Sequence, residues 1–163
     1  MKSLQGAILK SFVGLNIALF RLSGGRILGR MRGLPVLLLT TTGRKSGAPR
    51  TVPVVYDEDA GEAFVVASFA GAPQHPAWFL NLQRTPTVEV ERRGIAYTAK
   101  AEILSGAERQ RLWNKIVAAA PYFQDEYQSR TKREIPVVRL RRDGAREIER
   151  RPGEEPRSGS PAR

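Results

Sequence analysis

Residues 35–68 read PVLLLTTTGRKSGAPRTVPVVYDEDAGEAFVVAS, and this stretch decides the fold. Pro35–Thr42 is a near-continuous apolar run that ends in threonines, the pattern of a buried strand. Gly43–Pro49 is a turn rich in glycine and basic residues. Arg50–Tyr56 is a second strand, and Pro53 within it points to an edge or a bulge. Asp57–Glu62 is a solvated turn that lacks the ligand pattern of a calcium loop. Ala63–Ser68 is a third strand. Three strands joined by short turns predict an antiparallel meander.

Outward from this core the pattern continues. Pro76–Gln83 reads as a short helix opened by proline. Thr87–Glu91 and Gly94–Ile103 form a hairpin about Arg92-Arg93-Gly94, with Tyr97, Ala99 and Ala101 alternating against Thr98, Lys100 and Glu102. Ser105-Gly106-Ala107-Glu108 has the spacing of a capping box. It opens a helix with Leu112, Trp113, Ile116, Val117 and Ala120 on one face, stopped by Pro121. Ile135–Leu140 is a last strand. Six strands, mostly hairpin-linked, with few helices fit a small antiparallel barrel of α+β, mainly β, class. There is no GxGxxG after a strand and no Walker A motif, so the standard nucleotide folds are not expected.

The chain has 163 residues, one domain's worth. It has no cysteine and one histidine, so disulfides, thiolate chemistry and a histidine-rich metal centre are excluded, and no metal is expected. Its formal net charge is +11, and a basic protein usually meets an acidic partner. Residues 1–34 hold six basic groups and no acidic one, whereas residues 35–138 hold thirteen basic and eleven acidic. A nucleic-acid domain would carry its basic stripe on the fold itself, so nucleic acid is not an expected partner. The expected organisation is a basic amphipathic arm over 1–30, a domain over 31–142 and a disordered charged tail over 143–163. In the arm, Leu4, Ile8, Leu15, Leu19 and Leu22 recur near helical spacing. Such a helix could lie on an anionic membrane surface or pack on its own domain.

Two segments carry candidate chemistry. In Thr40–Arg50 the glycines permit a tight turn on which Arg44, Lys45 and Arg50 can converge as a phosphate site; a solvated basic turn is the alternative. In Ala67–Leu82 small residues follow a strand and precede a proline-started helix.

The motifs TTTGRKSGAPR, ASFAGAPQHPAWFLNLQRTPTVEV and APYFQDEYQSRTKREIPVVRL, in this order over about residues 30–140, resemble the deazaflavin-dependent nitroreductase family. The resemblance implies a split β-barrel of the flavin-binding type and coenzyme F420 as cofactor. It implies that Arg44, Lys45, Ser46 and Arg50 contact the cofactor's phosphate side. Thr51, Val52, Pro53, Val54 and Val55 would line the deazaflavin and its ribityl chain. Val66, Ala67, Ser68 and Phe69 would give largely backbone contacts to the ring, Ala77, Trp78, Phe79, Leu80 and Asn81 would close its other side, and Phe123 would be a further cofactor contact. Tyr122 and Tyr127 would border the acceptor. No residue is expected to act as a covalent catalyst.

The implied activity is hydride transfer from reduced F420 to a quinone or an activated nitro compound, in a cytoplasmic monomer or dimer. A membrane quinone would give the basic arm a purpose at the inner face of the cell membrane. Relatives often have lysine where this chain has Phe69, and many have tyrosine where it has Ala120. The first departure keeps an FMN-binding barrel as the alternative. A non-catalytic cofactor- or lipid-binding barrel is a further one.

Overall fold

The computed structural model describes residues 14–148. Helix α1 covers the described residues 14–22. Seven strands follow, β1 (Arg30–Met31), β2 (Leu34–Thr42), β3 (Pro49–Asp59), β4 (Glu62–Val66), β5 (Thr87–Arg92), β6 (Ile95–Ile103) and β7 (Val137–Glu147), with helices α2 (Ala77–Arg84) and α3 (Gly106–Ala119) between them. The sheet order is β1-β2-β3-β4-β7-β6-β5, all antiparallel, and β5 pairs back onto β2. Six strands therefore close into a barrel, with β1 as an added edge, which is the split-barrel architecture.

The apolar run of β2 is continuous because both of its faces are covered. Leu37 and Leu39 point into the barrel with Tyr56, Val65, Val90 and Leu140. Val36 and Leu38 point outward and meet Phe20 of α1. Phe79 and Leu82 of α2 plug the barrel interior. On the far side α3 lays Leu112, Trp113 and Ile116 against Phe64, Val66 and Val137. A buried phenylalanine such as Phe20 contributes about 3–5 kcal/mol against truncation, so α1 is held to the barrel at this point. Arg21 adds a two-pronged ion pair to Glu91 at 2.9 and 2.7 Å. The described end of the N-terminal segment thus packs on its own domain; the rest of the expected arm, residues 1–13, lies outside the described residues.

The position of Pro53 shapes the site. β4 pairs only with Tyr56–Asp59 of β3, so Pro49–Val55 has a partner strand on the β2 side alone. A residue without an N–H is tolerated in that half. The half-open strand forms the floor of a groove.

Three local expectations are corrected. The turn expected over Asp57–Glu62 shrinks to Ala60–Gly61, because Asp57, Glu58 and Asp59 of β3 pair with Phe64, Ala63 and Glu62 of β4. Ser105 is the N-cap of α3 but makes no side-chain cap bond; Glu108 turns instead to Arg139 at 2.6 Å, a charge-assisted bond that outcompetes a neutral cap. The last strand does not end at Leu140. It runs to Glu147 through a register shift opposite Tyr97 and Ala99, so the first five residues of the expected tail belong to the barrel. The sequence hid this because residues 141–147 (RRDGARE) have no period-two apolar face. Residues 149–163 of that tail lie outside the described residues.

Candidate functional site

Two clefts lie along the open half of β3 and share Val52, Ala77 and Trp78. The larger has a volume of about 770 Å³ and the smaller about 390 Å³. Together they make one groove with a basic end and an aromatic end.

The basic end is the β2–β3 turn. Gly43 N donates to Ala48 O at 2.8 Å and Gly47 N to Gly43 O at 2.7 Å. Gly47 has φ +70°, a left-handed conformation that favours glycine. Asn81 of α2 latches the turn. It is buried, accepts at Oδ1 from both Arg44 N and Arg44 Nη1 at 3.2 Å, and donates from Nδ2 to Thr41 Oγ1 at 3.0 Å. Arg84 adds a bond to Arg44 O at 3.2 Å. Lys45, Ser46 and Arg50 are exposed on the turn. Most other cations of the fold are paired, as in the cluster of Asp59, Glu62, Glu102 and Glu108 about Arg111, Arg139 and Arg141. Among the described residues, Arg44, Lys45 and Arg50 have no carboxylate partner, although Arg21 across the cleft is paired with Glu91. Three unneutralised cations beside backbone amides are a donor set for a bound anion.

The aromatic end is assembled from four separate segments. Pro53, Val54, Val55 and Val66 give the apolar floor, Met31 and Arg32 one wall, Ser68 and Phe69 another, and Tyr122, Phe123 and Tyr127 a third. Tyr122 stacks on Phe123 with centroids 4.8 Å apart, and Tyr127 meets both edge-on. Burial pushes the Tyr122 phenol up, aided by Tyr127 and opposed by Arg32, so it stays protonated at neutral pH.

The Phe69 wall is strained and braced. Phe69 and Ala70 have φ of 46° and 51°, conformations that cost about 1–3 kcal/mol each for residues with a Cβ. Arg133 holds them by donating to Ser68 O at 2.7 Å, Ala72 O at 2.9 Å and Ala67 O at 3.1 Å. Its Nη1 also lies 3.3 Å from His75 Nδ1. A guanidinium only donates, so Nδ1 accepts and His75 is neutral. Burial, with Arg133 adding to it, pushes the His75 pKa down. Gly71 is required beside this loop, because a Cβ there would lie 2.5 Å from Tyr127 O. The loop and the tyrosine turn are therefore packed to contact.

Of the residues expected from the sequence, Arg44, Lys45, Ser46, Arg50, Thr51 and Asn81 line the basic end. Pro53, Val54, Val55, Val66, Ser68, Phe69, Tyr122, Phe123 and Tyr127 line the aromatic end. Val52, Ala77 and Trp78 line both. Three expected residues reach neither cleft. Phe79 is a barrel plug, Leu80 is half-buried beside it, and Ala67 is fully buried with its N–H on Pro136 O and its carbonyl on Arg133. Sequence reading missed the α1 wall of the basic end (Gly14, Ile17, Ala18, Arg21 and Leu22) and the Met31–Arg32 wall of the aromatic end. The helical spacing of α1 was visible, but nothing local says which face turns to the cleft.

A sequence profile of the family described as F420H(2)-dependent quinone reductase matches residues 13–142. An F420H(2)-dependent quinone reductase of Mycobacterium tuberculosis is 40% identical over 133 residues, 78% of this chain and 88% of that protein. A solved structure titled F420-H2 dependent reductase FDR-A superposes with a TM-score of 0.60 at 40% identity, covering 65% of this chain and 93% of the other. A second, described as a domain-swapped dimer, gives the same score and identity over 65% of this chain and 79% of its own. The chain belongs to the F420H(2)-dependent quinone reductase family, and so is an F420-dependent oxidoreductase.

Proposed function

We propose that the protein reduces a quinone by hydride transfer from reduced F420, with activated nitro compounds as further acceptors. The observation that carries this reading is the junction of an unneutralised basic turn with an apolar, tyrosine-rimmed cleft at Trp78. The residues present fit the cofactor. Its phosphodiester and glutamate tail are anionic, and Arg44, Lys45 and Arg50 offer them cations without competing carboxylates. A flat tricyclic ring suits the apolar floor of Val52–Val55.

When bound, the reduced deazaflavin supplies the hydride at its C5. The chain's own residues position and exclude water. Arg44, Lys45 and Arg50 hold the phosphate side, Trp78 divides the two ends, and Phe69, Tyr122 and Phe123 shield the acceptor. Ser68, Tyr122 and Tyr127 carry the hydroxyls near the acceptor. Phe69 gives the ring an apolar neighbour and no charge, so affinity rests on the basic turn.

No helix among the described residues is long and apolar enough to cross a membrane. Leu15 and Leu19 nevertheless are exposed apolar residues on α1, which follows a segment that carries basic and no acidic residues in the sequence. We infer surface attachment to anionic lipid, which would bring the enzyme to a membrane quinone. A protein of this family with a domain-swapped dimer among its relatives is expected to be a dimer when it is not a monomer.

The test is fluorescence titration with F420 and with FMN, followed by turnover of a lipid quinone in anionic or neutral vesicles and of a nitroaromatic in solution. F420 is expected to bind, FMN not to, and quinone turnover to be faster in anionic vesicles. Micromolar FMN binding with none for F420 would sink the cofactor reading. Equal rates in the two vesicle types would remove the membrane part alone.

A further inference from the structure

Arg32 has no part in the reading above, yet it faces the aromatic cleft. It sits at the tip of the β1–β2 hairpin with φ +48°, followed by Gly33 at +87°. Its guanidinium spans from the hairpin to the π-helical turn Phe123–Tyr127. Nη1 donates to the Tyr127 hydroxyl at 3.0 Å and to Glu126 Oε2 at 3.1 Å; Nη2 donates to Glu126 Oε1 at 2.7 Å. The guanidinium carbon lies 3.9 Å from the Tyr122 ring centroid. The hydrogen bond from Arg32 holds the Glu126 carboxyl below its usual range, so this clamp is closed at neutral pH.

The direction of the Tyr127 bond matters. A guanidinium has no acceptor, so the phenol oxygen accepts and its own hydrogen must point elsewhere. Among the described residues that hydroxyl has no other partner. Tyr127 lines the 390 Å³ cleft together with Ser68 and Phe69.

We propose that Arg32 is a positioning residue for the reduction: it fixes Tyr127 as the proton donor to the acceptor's oxygen and holds the charge that this leaves. The inference rests on the function proposed above. A quinone that receives a hydride gains two electrons and one proton and still needs a second proton. The Tyr127 O–H bond breaks, a new O–H bond forms on the quinone oxygen, and the hydroquinone is complete. The phenolate left behind lies against the Arg32 cation, whose charge stabilises it as it forms. Water then returns a proton to Tyr127 from the hairpin side, where Arg32 and Glu126 are partly exposed. Reduced F420 is the reductant and the quinone the oxidant, so no other co-reactant is needed.

The test uses the full chain with Arg32→Ala, Arg32→Lys, Tyr127→Phe and the Arg32→Ala/Tyr127→Phe pair. Every variant is first titrated with F420 by fluorescence, and kcat is then read at saturating cofactor so that a change in affinity does not enter it. Quinone kcat should fall about 100-fold in Tyr127→Phe, within the usual range for loss of a general acid. It should fall at least about tenfold in Arg32→Ala and partly recover in Arg32→Lys. The double variant should be no more than about threefold slower than Tyr127→Phe, because the two residues act as one unit.

A second readout needs no cofactor. With tyrosines labelled at the ring carbon bearing oxygen, the NMR signal missing from Tyr127→Phe should shift in Arg32→Ala. A double variant showing the full product of the single losses would overturn the proposal. So would parent-like kcat in Arg32→Ala, or an unmoved Tyr127 signal. Failure of the parent protein to bind F420 would break the functional reading instead, and the NMR shift would still decide whether Arg32 positions Tyr127.

Discussion

The basic and aromatic ends of the groove are built by different means. The cations of the basic end come from one unbroken stretch, Thr40–Arg50, which Asn81 and Arg84 of α2 brace from outside it. The aromatic end draws on β1, β3, the Ser68–Ala72 loop and the Phe123–Tyr127 turn, and Arg133 and Arg32 tie those pieces together. A contiguous site needs little beyond its turn geometry. An assembled site depends on bracing contacts that are themselves far apart in sequence. The basic end should therefore tolerate changes elsewhere, and the aromatic end should not.

The largest expected effect is at the basic end. Replacing Arg44 and Lys45 together by alanine removes two charge-assisted contacts, each contributing about 1.5–3 kcal/mol. F420 affinity should fall about 100-fold or more by fluorescence titration, while thermal stability changes little, since neither cation has a carboxylate partner among the described residues and the Arg44 backbone N–H keeps its bond to Asn81. Unchanged affinity would move the phosphate site elsewhere and dissolve the contrast between the two ends.

A smaller effect sharpens the comparison from the other side. His75 is neutral in the fold, its pKa held below the usual value near 6.5 by burial and Arg133. The unfolded chain takes up a proton first as pH falls. The stability from this group is thus full above about pH 6.5 and is lost progressively below it, down to the depressed folded value. His75→Gln should flatten the fall in melting temperature between about pH 7.5 and 5.5. The loss should be felt at the Phe69 loop and not at the Arg44 turn, which hydrogen exchange can separate. A slope unchanged by the substitution would mean that His75 does not report on this brace.

How much of this was legible follows the same division. The three-strand core over residues 35–68 and the hairpin after Thr87 read directly, because turn residues punctuate runs of clear period. The pairing of β5 with β2 that closes the barrel did not, since it joins residues about fifty apart with no local signal. Glu108 matched a capping box by spacing, yet a tertiary partner, Arg139, took it. Arg44, Lys45 and Arg50 stood out as chemistry on a glycine turn. Arg32 was visible only as one more charge in a basic segment, because its partners Glu126 and Tyr127 are more than ninety residues away. Arg133 was likewise silent, since its acceptors are backbone carbonyls that carry no sequence mark.

The central claim is that one groove holds F420 with its phosphate at the Arg44 turn and its ring toward Tyr127. A crystal structure of the F420 complex tests this most directly. The account predicts phosphate oxygens within hydrogen-bond reach of Arg44, Lys45 or Arg50, with the deazaflavin over Val52–Val55 beside Trp78 and its C5 facing the Tyr127 cleft. A ring seated at the basic turn, or a phosphate bound away from all three cations, would contradict it.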